Sequence, residues 1–418
     1  MANTLKFGNG EWYGKKDTIL AYNDLNSNYK PLPFDFSRDS SATVVNKDGL
    51  IETVGSGQPR IDYKDDSKGA LLLEPSRTNL VTYSEDIFNF STSNLNVTIN
   101  SNQTTSPSGG LADKIEENNV DGNHAARRLS GISVVASQSY TFSFFAKKDE
   151  RSVVGISNTI GGNGKSAFID IENGVILSSD FSTSSIENYG NGWYKINLTD
   201  TATNDTDYDV RIYTSIQDGS FSHQGVVGYG FYIWGVQLEQ GSYATSYIPT
   251  QGSSVTRLAD NIDTDFGTIL PLSGEVSVYM EMLGQPVNET NVTGKISAVN
   301  FDDTTDSSSY VSLNFNGTDW RARVQAVGGS RFVSFEVDQT ETIKALFVLR
   351  PTSYALYANG NLIGSEDRLY NEPAPVINEI AKVEFDNSTS DKGITRNKDL
   401  RVYNTALSNA EAIALTQV

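Results

Sequence analysis

The sequence predicts an all-β protein, with an N-terminal extended arm followed by two antiparallel β-sandwiches. Composition is the first reason, since 20 Tyr, 19 Phe and 35 Gly accompany only 3 Met among 418 residues, and such a chain favours short strands and tight turns. The second is repeated apolar and polar alternation between turn signals. The third is that no amphipathic helix of useful length precedes the C-terminus. The length favours two or three domains.

The predicted boundaries are an arm over residues 1–80, a jelly-roll sandwich over 81–250, a linker over 251–261 and a second sandwich over 262–418. In the arm, Asp48-Gly49 is a hairpin turn signal. The arm has few residues for a core of its own, so we expect it to be ordered by packing on a sandwich or on another chain.

The first sandwich is predicted from segments that have strand patterns. The last of them is apolar on both faces, which is typical of a central strand. These segments are Tyr140–Phe144, Phe168–Ile171, Trp193–Leu198, Val210–Tyr213 and Phe231–Leu238.

The second sandwich is predicted from hairpins in series, with turns at Asn316-Gly317 and Asn359-Gly360. Its end differs, because Ser408 and Glu411 have the spacing of a capping box. We therefore expect a short helix that ends near Leu415.

Charge and residue usage restrict the function classes. The net charge is −19, with no cysteine and two histidines. No disulfide or thiolate metal site can form, and a histidine-based catalytic or zinc site is nearly excluded. A chain this acidic is a poor ligand for nucleic acid or anionic membranes, which leaves neutral glycans or protein surfaces as partners. Because no signal peptide or transmembrane run is seen, we expect synthesis in a host cytoplasm and no membrane insertion.

Three motifs occur in order before the first sandwich: FSR and SSAT from Phe36, PRIDY from Pro59, and LLLEPSRTNL from Leu71. The sandwich ends with QLEQGSYATSYIPT, and SSVTRLADN follows it. This arrangement resembles a module of bacteriophage fibre and tail proteins. The resemblance implies that residues 81–250 form a jelly roll like a carbohydrate-binding module.

The second sandwich resembles the laminin-G and concanavalin A-like fold. Its ALYANGNLIG segment from Ala355 is similar to a hairpin of that family, and LRVYNTALSNAEAIAL from Leu400 is similar to its final strand and helix.

Together the resemblances imply a phage virion appendage, a tail or head fibre, that displays lectin-like domains for adhesion to host surface glycans. They imply a location on the virion surface, an arm that binds other virion proteins, and a homo-oligomer, with a trimer favoured. One alternative is a purely structural capsid-decoration or fibre component without a ligand. A second alternative is a glycan hydrolase.

The candidate glycan site of the sequence lies in the second sandwich. An indole offers a flat apolar face for sugar stacking, and Trp320 follows an Asn-Gly turn, which predicts exposure. The predicted site residues are Trp320, Arg321, Arg323 and Tyr310. The strand patterns around Trp193 and Trp234 instead predict core positions, and Arg77 is predicted to have a structural role.

No catalytic residue or cofactor is predicted. Glu336, Asp338 and Glu341 match the ExDxxE spacing of retaining glycosidases, whose two carboxyl groups lie about 5–5.5 Å apart. However, the residues before Glu341 are polar and predict a connecting loop, so the protein is expected not to be an enzyme. Carboxylates in predicted loops could bind Ca²⁺, but they meet no calcium-loop template. These are Asp302, Asp303, Asp306, Asp386 and Asp391.

Overall fold

The computed structural model describes residues 36–262, 275–282, 342–365 and 396–418 in full, apart from 129–131, 159–163, 206, 217–218, 352, 402 and 404. Elsewhere it describes only the backbone of the strands given below. The fold is almost entirely antiparallel β-structure, which confirms the predicted all-β class.

The chain divides into two compact units. The inserted unit comprises residues 48–53 and 77–257, and the terminal unit comprises residues 1–47, 54–76 and 258–418. Most of the predicted arm therefore groups with the second sandwich, because its strands pair with strands from the C-terminal part of the chain. Whether the arm attaches to a virion stays a prediction.

The inserted unit is a sandwich of two six-stranded sheets. We call the first the covered sheet; in spatial order its strands are Val97–Thr105, Leu111–Glu117, Gly230–Gln240, Ser139–Lys148, Trp193–Thr201 and Thr183–Asn188. We call the second the open sheet; its strands are Ser93–Leu95, Ala125–Val134, Thr206–Ser215, Val153–Ile160, Asn163–Asp170 and Val175–Ser179. Two-stranded sheets join Arg77–Asn79 to Val255–Arg257 and Asp121–Asn123 to Ser222–Gln224, and a helical turn spans Ile87–Phe90.

The core of this unit lies between the two sheets, as the alternating patterns predict. Phe142 and Leu198 of the covered sheet and Ile156 and Ile212 of the open sheet belong to one buried cluster. The Gly230–Gln240 strand pairs with neighbours on both sides and is buried along nearly its whole length, which confirms the predicted central strand.

The terminal unit contains larger sheets. The first runs in the order Asn361–Asp367, Ser353–Ala358, Ile343–Leu349, Val276–Met282, Gly393–Tyr403, Ala70–Leu73 and Arg60–Asp62, with Thr4–Phe7 and Val287–Asn288 also paired to Gly393–Tyr403. The second runs in the order Gly329–Glu336, Asp319–Ala326, Asp306–Phe315, Ile296–Asp303, Lys382–Asp386, Asn261–Asp263 and Asp35–Ser37. Three shorter strands, Trp12–Lys15, Thr18–Asn23 and Asn28–Pro31, form a small sheet. Two further short strands span Ala42–Val45 and Ile51–Val54.

The predicted C-terminal helix spans Asn409–Thr416. Its capping box forms as expected, because the Ser408 side chain accepts from the Glu411 backbone and the Glu411 side chain accepts from the Ser408 backbone. Ala412 packs on Leu346 and Tyr357 of the first large sheet. Among the described residues, no helix is long and apolar enough to span a membrane.

The sequence motifs meet in one buried charge cluster of the terminal unit. Arg38 from SRDSSAT, Arg60 from PRIDY, Glu74 from LLLEPSR and Asp260 from RLADN have side chains that are almost inaccessible to solvent. Arg38 Nη1 donates to Asp260 Oδ1 at 2.8 Å, and Arg60 Nη1 donates to Glu74 Oε2 at 2.6 Å. Arg60 Nη2 donates to the other oxygen of Asp260. The motifs therefore specify a structural cluster of ion pairs.

Candidate functional site

The structure gives only the strand positions of the residues predicted to bind glycan. Tyr310 is paired with Gln325, Trp320 with Phe315, and Arg323 with Ser312. Their side chains, and that of Arg321, lie outside the described residues, so this site stays a prediction.

The other carboxylate candidates are also untested. Glu336 ends the Gly329–Glu336 strand, whereas Asp338 and Glu341 lie outside the described residues, as does Asp391. Asp302, Asp303, Asp306 and Asp386 occupy strands, but their side chains are not described. In the part of the chain that the structure describes, no group of three or more acidic or histidine side chains could hold a metal ion.

Both tryptophans predicted to be in the core are buried. Arg77 is also buried, with its guanidinium carbon 5.1 Å from the centre of the Tyr243 ring. This contact fits its predicted structural role.

Both histidines lie in one buried polar network of the inserted unit. His223 Nε2 lies 2.8 Å from Glu117 Oε2, and the two histidine rings are 4.7 Å apart. Arg151 donates to the other Glu117 oxygen. Burial alone would raise the pKa of Glu117, but the hydrogen bonds from Arg151 and His223 outweigh it and lower this pKa. The network is closed to solvent and holds the two-stranded sheet that contains His223.

The outer face of the covered sheet is occupied by the chain itself. Residues 241–250, which carry most of the predicted closing motif, lie over it. Lys195 Nζ donates to the Thr245 carbonyl at 2.8 Å, and Thr245 N donates to Glu239 Oε2 at 2.9 Å. These groups are buried and satisfied by one another. Around Lys195 and Glu239 this face therefore has no room for a ligand.

The outer face of the open sheet carries a row of polar side chains across four neighbouring strands. Arg127 is paired with Arg211, Arg211 with Ser157, and Ser157 with Ser166. Adjacent strands lie about 4.8 Å apart, so the row spans roughly 15 Å. All four residues are partly exposed. We call Arg127, Arg211, Ser157 and Ser166 the polar row.

An aromatic wall borders the polar row. The Phe221 ring lies 4.6 Å from the Phe168 ring and 4.3 Å from the Tyr213 ring, measured between centroids. Phe221 lies over Gly155, where an added Cβ would be 2.9 Å from the Phe221 ring. Glycine is therefore required at 155 for the wall to take this position, and Phe168 and Phe221 remain partly exposed.

Charge and unused hydrogen-bonding capacity are concentrated beside the wall. Arg211 Nη2 forms an ion pair with Asp209 at 3.1 Å. Arg211 and Asp209 remain 39% and 26% exposed, although Arg211 Nε and Asp209 Oδ1 themselves are closed to solvent. The partly exposed Ser157 hydroxyl has no hydrogen-bond partner within the described residues. Arg donates in a planar fork, Asp accepts, and a hydroxyl does both. An aromatic face next to such groups suits a ligand with apolar C–H faces and hydroxyl edges.

The sequence alone did not identify the polar row, although the alternating pattern of one of its strands was visible. In Thr206–Ser215, the partly exposed Asp209 and Arg211 alternate with the buried Tyr208, Val210 and Ile212. The strand was predicted, but its neighbours in the sheet could not be. Those neighbours assemble the row.

Comparison with known proteins gives no family assignment, because no family model and no curated protein matches this chain. Similar solved structures include the binding domain of botulinum neurotoxin serotype G, with 16% identity and a TM-score of 0.30 over 37% of this chain and 40% of that domain. They also include the Ruminococcus gnavus sialidase module CBM40 bound to α2,3-sialyllactose, with 13% identity and a TM-score of 0.30 over 36% of this chain and 90% of that module. The binding domain of paraclostridial mosquitocidal protein 1 has 11% identity and a TM-score of 0.30, over 39% and 43%. This chain thus spans less than half of the two toxin domains, and TM-scores this low assign neither fold nor ligand.

Proposed function

We propose that the protein is a non-catalytic glycan-binding component of a phage virion appendage, either a tail or a head fibre. The observation that carries the adhesion part is the open sheet of the inserted unit. Residues 241–250 cover part of the outer face of the covered sheet, whereas the outer face of the open sheet presents the polar row beside the aromatic wall. The virion part rests on the resemblance of the motifs from Phe34 to Asp86 and from Gln237 to Asn261 to phage fibre modules.

In this proposal, hydroxyl pairs of a bacterial surface glycan bind Arg211, Asp209 and Ser157, and a sugar ring packs against Phe168 and Phe221. A single exposed face of this size binds weakly, so many copies on one particle would supply avidity. The terminal unit would attach to other virion proteins, and a trimer remains the favoured assembly by analogy.

The adhesion part is tested by probing an array of bacterial surface polysaccharides with the full chain and with Arg211→Ala. A charged hydrogen bond contributes about 1.5–3 kcal/mol, so affinity for any bound glycan should fall roughly 10- to 100-fold. Lys148→Ala is the matched control, because Lys148 and Arg211 side chains are 38% and 39% exposed and both form ion pairs. Equal binding by both variants and the parent chain would refute the role of the polar row.

The virion part has its own test, which is mass spectrometry of purified particles of a phage that encodes the chain. Detection at a fixed copy number per particle is expected, and absence from particles would reject it. Excess purified chain should also reduce adsorption of that phage to its host cells.

An exposed apolar patch supports the alternative of a purely structural component. Gly225 N donates to the Val120 carbonyl at 2.9 Å, which places the Val120 segment beside the 226–229 loop. Val227 is 68% exposed there, and Val226 and Tyr229 are also exposed. A protein present in virions that binds no glycan, and loses incorporation on Val227→Ser, would favour this alternative.

A further inference from the structure

A second concave site lies in the inserted unit, away from the polar row. It is a pocket of about 100 Å³ formed by three separate segments: the 49–50 turn, the 105–107 loop and the 189–193 turn. Lys147, at the end of the covered-sheet strand Ser139–Lys148, completes its lining.

The aromatic part of the pocket is held in a fixed position. Trp193 is 2% exposed, and its Nε1 donates to the Thr105 carbonyl at 3.0 Å. The facing loop is fixed as well, since Ile51 N donates to the Pro107 carbonyl at 2.9 Å. The indole therefore has its polar atom satisfied, and it forms part of the fixed pocket wall, with little surface of its own open to the cavity.

The rim of the pocket has an unusual backbone. Gly190, Asn191 and Gly192 have φ angles of +76°, +52° and +79°, and Trp193 N closes the turn on the Gly190 carbonyl at 2.9 Å. The left-handed conformation is unfavourable for a non-glycine residue, although Asn tolerates it better than most. Within the described residues, the backbone N–H and the side-chain amide of Asn191 have no hydrogen-bond partner. The turn therefore presents unused donors at the rim.

The charge of the pocket comes from Lys147. Its ammonium has neither an ion pair nor a hydrogen bond within the described part of the chain. The adjacent Lys148 is paired with Glu172, and Lys195 on the neighbouring strand donates to the Thr245 carbonyl. In a chain with a net charge of −19, the partly exposed Lys147 ammonium at this cavity is available to pair with an anionic group supplied from outside.

We propose that this pocket binds the carboxylate-bearing ring of an acidic sugar, of the uronic acid class. Lys147 supplies the counter-charge, Asn191 donates to the carboxylate or a ring hydroxyl, and Trp193 forms part of the pocket wall beside them. The distant charges of this acidic chain are screened within a Debye length of about 8–10 Å at physiological salt. A single carboxylate at Lys147 is therefore compatible with the overall charge. The inference deepens the proposed glycan-binding function and rests on it for its biological setting.

The test is a TROSY NMR titration of the ¹⁵N-labelled full chain, which follows the Trp193 indole N–H, assigned with Trp193→Phe. Methyl β-D-glucuronide is the probe, methyl β-D-glucoside is the neutral match, and glucose 6-sulfate is the sulfate match. The glucuronide should give a saturable shift that the glucoside does not. Lys147→Met should weaken binding at least tenfold, while Lys148→Met, the matched neighbour, should leave it unchanged.

Each other result overturns the proposal. No saturable shift, an equal shift with the glucoside, or a shift retained in Lys147→Met would remove the site. An equal shift with the 6-sulfate would reassign the pocket to anionic sugars in general. Arg211→Ala separates this inference from the proposed function, because it should weaken binding on the polysaccharide array and leave the Trp193 shift intact.

Discussion

Replacing Asp260 with Asn tests the buried charge cluster that the sequence motifs form. Asp260 accepts from Arg38 and Arg60 with separate oxygens, and it also accepts from Glu74 N at 2.9 Å. An Asn side chain keeps one acceptor but turns an N–H₂ donor toward a guanidinium or an N–H group. Arg60 would keep its ion pair with Glu74, whereas Arg38 would lose its ion pair with Asp260. Burial alone would lower the pKa of Arg60, but its carboxylate partners raise it, so the Arg60 guanidinium remains charged.

The expected loss follows from this geometry. Removing one partner of a buried ion pair costs about 3–5 kcal/mol, because the remaining charge is left uncompensated. Domains of ordinary size have unfolding free energies of about 5–15 kcal/mol. Asp260→Asn should therefore remove about a fifth or more of the stability of the terminal unit.

The assay is urea unfolding of the full chain, followed by far-UV circular dichroism and by tryptophan fluorescence. The two probes are needed because a chain of two compact units need not unfold in one transition. The control is Glu172→Gln, which breaks the exposed Lys148–Glu172 pair and should cost about 0–1 kcal/mol. A cost for Asp260→Asn no larger than that of the control would show that the cluster does not stabilise the unit as argued.

Two further changes concern the inserted unit. Hydrogen bonds to Glu117 hold its pKa below the ordinary 4.5, so its contribution to stability is complete above pH 4.5 and is lost as pH falls through the lower pKa of the folded state. The Glu117→Gln variant should therefore be less stable at pH 7, and its urea midpoint should fall less steeply than that of the parent protein between pH 5 and pH 2. Parallel curves of urea midpoint against pH for the two proteins would contradict this. Gly230→Ala should lower stability by roughly 1–3 kcal/mol, because the new Cβ would lie 2.0 Å from the Ile115 carbonyl oxygen. Gly164→Ala, with nothing within 4 Å of its Cβ, is the control in thermal unfolding, and equal melting temperatures for the two variants would refute the steric reasoning.

The sequence by itself determined the class of fold and most individual strands. The alternation of apolar and polar residues in a strand is visible in consecutive residues. Val210 and Ile212 could therefore be assigned to a buried face without knowledge of the strands that pair with theirs. The capping box at Ser408 and Glu411 is equally local, and it placed the last helix correctly.

The tertiary structure decided which segments meet. Arg38 and Asp260 are separated by 222 residues, and no local pattern states that they form an ion pair. The polar row depends on the order of strands in the open sheet. Residues 241–250 lie over part of the outer face of the covered sheet. The pocket at Lys147 likewise depends on three segments brought together from distant parts of the chain. Strand propensity and pleat follow from neighbouring residues, whereas pairing partners are selected by the burial and charge compensation of the whole fold.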